Sequence, residues 1–156
     1  MRSVAQLLIS KKDWTEGDFG SQRIERVHSI ANGASVLEAA QLMNEHHVGA
    51  LVVVDTFAEM VGIITERDIL TRIVTAQRDP STTQVGTIMT SEVISCDSAT
   101  QLSDVRKVMR ERRIRHIPVI DDGSLVGMVS IGDLNAASNA DMSIEVKAMR
   151  EYITQG

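Results

Sequence analysis

The strongest constraint on this chain is that its middle portion occurs twice. A shift of 66 residues carries Val27 onto Val93, Val36 onto Leu102, Glu38 onto Asp104 and Met43 onto Met109. It also carries Glu45 onto Glu111, Val48 onto Ile114 and Asp55 onto Asp121. Past the following turn the shift becomes 65, because Asp122-Gly123-Ser124 is one residue shorter. A surface turn is where a repeat tolerates such a deletion. Gly62 then meets Gly127, Thr65 meets Ser130 and Asp68 meets Asp133. One supersecondary unit is therefore used twice, and each copy is too small to bury both faces of its sheet alone. The expectation is one compact module of two units related by pseudo-twofold symmetry.

Within the unit, hydrophobic periodicity sets the elements. Ile24 to Ile30 reads as a strand, and Asn32-Gly33 is a turn signal. Ser35 followed by Glu38 matches a capping box, and Val36, Ala39, Ala40 and Met43 form one helical face that should end near His46. Ala50 to Val54 is a β-branched run that suits a buried strand. Asp55 to Glu59 turns the chain, Met60 to Ile64 completes a hairpin, and a helix follows from Thr65 to Val74. The fold class is α/β (α+β), built from two strand–helix–strand–strand–helix repeats over residues 22–76 and 85–138. Residues 77–84 link them, and Thr75 to Thr83, with Asp79-Pro80, has linker composition.

Two flanks lie outside the repeats. In residues 1–21, Met1 to Ser10 carries Val4, Leu7 and Leu8 at helical spacing, and Lys11 to Gly20 reads as a loop with Trp14 and Phe19 as anchors. In residues 139–156, Asp141 to Gln155 reads as a helix with an apolar stripe of Met142, Val146, Met149 and Ile153. That helix either closes the N-terminal helix against the module or makes a subunit contact.

Composition removes several functions. Aromatics are 3% of residues and the formal net charge is −5, so there is neither a stacking platform nor a basic surface for nucleic acid. A single cysteine, Cys96, excludes an internal disulfide framework and a multi-cysteine zinc site. It sits in an expected strand and reads as a small packed residue rather than a nucleophile. No apolar run approaches the roughly 18 residues of a membrane span, and no secretory leader pattern opens the chain. A cytoplasmic location is the default.

The chemistry concentrates at Val61-Gly62-Ile63-Ile64-Thr65-Glu66-Arg67-Asp68 and its second copy, Val126-Gly127-Met128-Val129-Ser130-Ile131-Gly132-Asp133. Each is a short strand running into a helix start. Unpaired N–H groups and a partial positive charge there suit a phosphate. The hydroxyl of Thr65 or Ser130 can donate to that phosphate, and Asp68 or Asp133 can accept from ribose hydroxyls. The same spacing is also a capping box, which merely starts a helix. Basic residues separate the copies. Arg115-His116 enters the Ile117–Ile120 strand where the first half has Gly49-Ala50, and Arg67 stands where the second has Gly132. A guanidinium gives planar, charge-assisted contacts to phosphate. Arg110, Arg112 and Arg113 suit a solvated helix end, as do His46 and His47.

The ordered, duplicated set resembles the tandem CBS-domain, or Bateman, module of small stand-alone CBS-pair proteins. The stretches that carry it are Val48 to Asp55, Gly62 to Asp68, Val85 to Thr90, Ile114 to Asp121 and Gly127 to Asp133. The closing Arg150-Glu151-Tyr152-Ile153 resembles the tail of such proteins from bacteria and plant organelles. The resemblance implies a regulatory binding module, not an enzyme. It would take AMP, ADP or ATP, sometimes NAD(H) or S-adenosylmethionine, in two clefts. Asp68 and Asp133 would hold ribose, and Thr65, Arg67, Ser130, Arg115 and His116 would meet phosphate. Apolar and backbone groups near Val27, Ile30, Val93 and Cys96 would read the adenine. No catalytic cofactor or metal is implied. The expected partners are a second copy of the chain, as a homodimer, and a regulated protein target. The basic pair in the second repeat makes the two clefts unequal, the second being tighter. A protein-interaction scaffold with vestigial clefts is the alternative function. No phosphate-loop, zinc-protease or serine-hydrolase motif speaks for an enzyme.

Overall fold

Ser35 opens α2 (Val36–His46) by accepting from the Glu38 amide at 3.1 Å while the Glu38 carboxylate accepts from the Ser35 amide at 2.7 Å. This reciprocal pair satisfies two helix-end donors, as the spacing predicts. The helix stops at His47, in the left-handed region at φ 53°, whose amide bonds to Met43. α5 (Leu102–Arg112) stops the same way at Arg113, φ 54°, bonded to Met109. Arg113 is His47 shifted by 66, so the repeat extends to backbone conformation.

The computed structural model describes residues 2–15 and 27–154 and divides into two compact units. One is Arg26–Ile94; the other joins Met1–Glu25 to Ser95–Gly156. The expected anchor Phe19 and the start of the first expected strand, Ile24 to Arg26, lie outside the described residues, and so does the side chain of Trp14.

In the first unit β1 (Ser29–Ala31) runs parallel to β2 (Ala50–Val54), which pairs antiparallel with β3 (Met60–Thr65). Ile30, Val53 and Gly62 share one row across the sheet. Leu51, Val53 and Ile64 pack under Val36, Ala39 and Met43 of α2. α3 (Glu66–Ile69) follows β3 and continues into a π-helical turn, Leu70–Val74. A further single-turn helix, α4 (Val85–Ile88), adds Val85 and Ile88 to this same core. These residues follow the linker in the chain, yet their side chains pack in the core of the first unit. After α4, Thr90 pairs with Ile63 through two 2.9 Å backbone bonds. Gly62 permits that approach, because a Cβ there would stand 2.6 Å from Met89 Sδ and 2.8 Å from the Thr90 carbonyl.

The second unit repeats the hairpin as β4 (His116–Asp121) and β5 (Ser124–Ser130), with an irregularity between Val119 and Ile120 matching that between Val53 and Val54. The strand expected around Val93–Cys96 does not form as a strand. It reduces to one parallel bridge, Cys96 to Val119, with bonds of 3.0 Å to the Pro118 carbonyl and 2.8 Å from Ile120. Pro118 supplies the reason. In the first unit the Val52 amide donates to His28 at 3.0 Å. Val52 shifted by 66 is Pro118, which has no N–H to donate.

The N-terminal helix differs from expectation in length and in role. α1 spans Val4–Thr15, so Lys11 is helical rather than the start of a loop. Val4, Leu7 and Leu8 are buried against Val105, Met109, Ile117, Val119, Val129 and Leu134. Its backbone bonds copy those of α4. Val4 donates to Thr100 at 2.9 Å as Val85 does to Ala34 at 2.8 Å, and Ala5 to Ser98 at 2.9 Å as Gly86 does to Asn32 at 2.8 Å. Bridges Ser3–Gln101 and Gln84–Ser35 complete the match. α1 therefore holds in the second unit the place that α4 holds in the first.

α6 runs unbroken from Ile131 to Thr154, 24 residues, so the C-terminal helix expected from Asp141 is the tail of the second repeat's closing helix. No glycine or proline interrupts Asp133 to Asp141. Arg2 pairs with Asp141 at 2.7 Å, and beyond it Met142, Val146, Met149 and Ile153 are exposed. Among the described residues, no helix is long and apolar enough to cross a membrane.

Candidate functional site

Both strand-to-helix junctions form the reciprocal capping geometry that their spacing allows. At the first, Thr65 Oγ1 accepts from the Asp68 amide at 3.2 Å, and Asp68 Oδ2 accepts from the Thr65 amide at 3.0 Å. At the second, Ser130 Oγ accepts from the Asp133 amide at 3.1 Å, and Asp133 Oδ2 accepts from the Ser130 amide at 2.8 Å. The capping role is thus real at both places. Whether a carboxylate can also take a ligand depends on what else it holds.

The two aspartates differ on that point. Asp68 is buried at 7% exposure. Its carboxylate also accepts from Thr65 Oγ1 at 3.1 Å and from Thr90 Oγ1 at 3.2 Å, and Arg72 Nε stands 3.9 Å away. The side chain of Asp133 is more open, at 21% against 11% for that of Asp68, and pairs with Lys11 Nζ at 2.9 Å. Lys11 was not identified from the sequence. Its only signal was its spacing from Leu7 and Leu8, which places it on their helical face.

The backbone brings the expected basic pair to the second junction. His116 lies opposite Ser130 in the hairpin, and the Arg115 carbonyl accepts from the Ile131 amide at 2.9 Å. In the first unit Ala50 lies opposite Thr65, and Gly49 accepts from Glu66 at 3.0 Å. The junctions therefore have the same backbone, but only the second has a cation and an imidazole on the adjoining strand. Arg115 is exposed and His116 half-buried. Arg67 is exposed on the first turn of α3.

The four residues expected near an adenine do not behave alike. Ile30 packs on the first unit's core and Cys96 on the second's, so both serve the cores. Val27 and Val93 are half-buried, outside regular strands. Burial, with Asp97 and Asp121 adding negative charge, pushes the Cys96 thiol up to about 11. That thiol is protonated at neutral pH and is a poor nucleophile. The Asp121 carboxyl is held below its usual range by the hydroxyl and amide of Ser98. His46, at the end of α2, stacks on His28 with ring centroids 3.9 Å apart. Among the described residues, no group of three or more His, Cys, Asp or Glu is arranged to hold a metal ion.

The CBS domain profile matches residues 23–75 and 85–139. The chain is 41% identical over 126 residues to the CBS domain-containing protein CBSX3, mitochondrial, of Arabidopsis thaliana, covering 78% of this chain and 61% of that protein. Among solved structures, a putative signal-transduction protein with CBS domains from Burkholderia ambifaria superposes with a TM-score of 0.80 at 35% identity, over 90% of this chain and 96% of the other. The CBS domain protein PAE2072 from Pyrobaculum aerophilum, complexed with AMP, superposes with a TM-score of 0.67 at 25% identity, over 85% and 89% of the two chains. With both repeats matched, the chain belongs to the CBS-domain family as a tandem pair.

Proposed function

We propose that this CBS pair is a cytoplasmic regulatory module that binds an adenosine nucleotide reversibly, without consuming it, and changes conformation or partner binding when occupied. The observation that carries this is the second junction, where the Ser130 hydroxyl, the partly open Asp133 carboxylate and the Arg115-His116 segment meet on one hairpin end. A hydroxyl and a helix start suit phosphate, a carboxylate suits a ribose diol, and a guanidinium strengthens the phosphate contact. In this reading Asp68 and Asp133 take ribose, while Thr65, Arg67, Ser130, Arg115 and His116 take phosphate. Apolar and backbone groups near Val27, Ile30, Val93 and Cys96 border the adenine. The AMP held by the Pyrobaculum neighbour supports the ligand class. AMP, ADP and ATP fit it, and NAD(H) and S-adenosylmethionine share the adenosine half. A scaffold with vestigial clefts draws support from Asp68 alone, whose buried carboxylate is already engaged by Thr65 and Thr90.

A melting-temperature screen against these ligands tests the proposal. A ligand at 100 times its dissociation constant stabilises the fold by about 2.7 kcal/mol. At about 2–4 °C per kcal/mol for a chain of this size, the midpoint should rise by roughly 5–10 °C. No shift with any adenosine ligand, or turnover of ATP or NADH that tracks the pure protein, would reject it.

The exposed stripe of Met142, Val146, Met149 and Ile153 on α6 supports a symmetric homodimer. Light scattering at micromolar concentration should give twice the chain mass. A monomer mass there rejects the dimer.

A further inference from the structure

We infer that Lys11 is a built-in competitor for ribose at Asp133, a feature confined to the second repeat; this rests on the adenosine-site reading above. The two repeats present the same pair of acceptors. One is the carbonyl two residues before the hydroxyl, Ile63 or Met128, and the other is the carboxylate three residues after it, Asp68 or Asp133. In the first unit both acceptors are met by Thr90, whose amide donates to Ile63 at 2.9 Å and whose hydroxyl donates to Asp68 at 3.2 Å. In the second unit both are met by one ammonium. Lys11 Nζ donates to the Met128 carbonyl at 3.0 Å and to Asp133 Oδ2 at 2.9 Å.

The difference follows from helix length. α4 ends after four residues, and the chain turns back to deliver Thr90. α1, its counterpart, continues for twelve, and Lys11 lies one turn beyond Leu7 on the buried face. Leu7 and Leu8 are fixed in the core, so the ammonium is tethered at the carboxylate. A ribose diol needs that carboxylate as its acceptor. It must displace a charge-assisted bond at 2.9 Å, whereas in the first unit the carboxylate's side-chain hydrogen bonds come from the neutral hydroxyls of Thr65 and Thr90, and its cation, Arg72 Nε, stands 3.9 Å away. The pair is about a quarter exposed on each side, 28% and 21%, so its hold is modest and the site stays usable.

Competition at the sugar affects ligands with and without phosphate alike. A lysine that bound phosphate would affect only the phosphorylated one. The test is calorimetric titration of adenosine and of AMP into wild type, Lys11→Met, Lys11→Gln and each change combined with Asp133→Ala. Both lysine variants should tighten both ligands by about two- to fivefold at the Asp133 site. In the Asp133→Ala background neither should alter the remaining binding event. Unchanged adenosine affinity in both variants overturns the inference, and so does AMP binding that weakens while adenosine binding holds. Failure of wild type and every variant to bind either ligand rejects the adenosine-site reading itself.

Discussion

Leu7→Ala should lower the unfolding free energy by about 2–5 kcal/mol, an effect expected of a central core residue and not of an N-terminal appendage. Leu7 is 3% exposed and packs with Val105, Met109, Ile117 and Leu134. Removing its isobutyl group leaves a cavity among side chains that α5, β4 and α6 already hold in place, so collapse around it is limited. The matching change in the first unit is Ile88→Ala, because α4 and α1 make equivalent backbone bonds to their repeats. Ile88 is 1% exposed, and its truncation should cost a similar amount. Urea titration measures both. A Leu7→Ala midpoint within error of wild type would mean that α1 frays without consequence. A cost confined to Ile88→Ala would break the equivalence of the two helices.

That equivalence was not legible in the sequence, and the reason is physical. The 66-residue shift relates segments that follow one another in the chain. α1 and α4 precede different repeats, differ threefold in length, and share only a valine and an aliphatic one turn on. Each identifies its place by backbone bonds to Thr100 or Ala34, which carry no side-chain signature. The hairpins, α2 and α5 were legible because burial imposes period and spacing on them directly. The second repeat's missing strand was legible in principle, since Pro118 stands where the first repeat has a donor, but a β-branched neighbourhood masked it. At the junctions, Thr65, Asp68, Ser130 and Asp133 form the capping boxes that their spacing implied. Arg115 and His116 join the second pair through hairpin register. Lys11 escaped notice because it arrives from 122 residues away.

The second large effect concerns binding, and magnitudes decide its direction. In the proposed nucleotide-binding reading, Arg115 gives the second site a hydrogen bond to phosphate, worth about 1.5–3 kcal/mol. Lys11 opposes ribose there through a partly exposed ion pair, worth about 0.2–1 kcal/mol. The gain exceeds the loss, so the second site should remain the tighter for AMP. Adenosine, which cannot use Arg115, should lose that advantage. The first site has Arg67 on its helix start and Arg72 Nε 3.9 Å from Asp68, and that carboxylate is buried behind Thr65 and Thr90.

Calorimetric titration of AMP into wild type, Asp68→Ala, Asp133→Ala and Arg115→Ala tests most directly whether the two junctions are unequal nucleotide sites. Wild type should give two events of different affinity. Asp133→Ala should remove the tighter and Asp68→Ala the weaker, while Arg115→Ala should weaken only the tighter, by about ten- to a hundredfold. Two identical events in wild type, or both events surviving unchanged in Asp133→Ala and Arg115→Ala, would contradict the account.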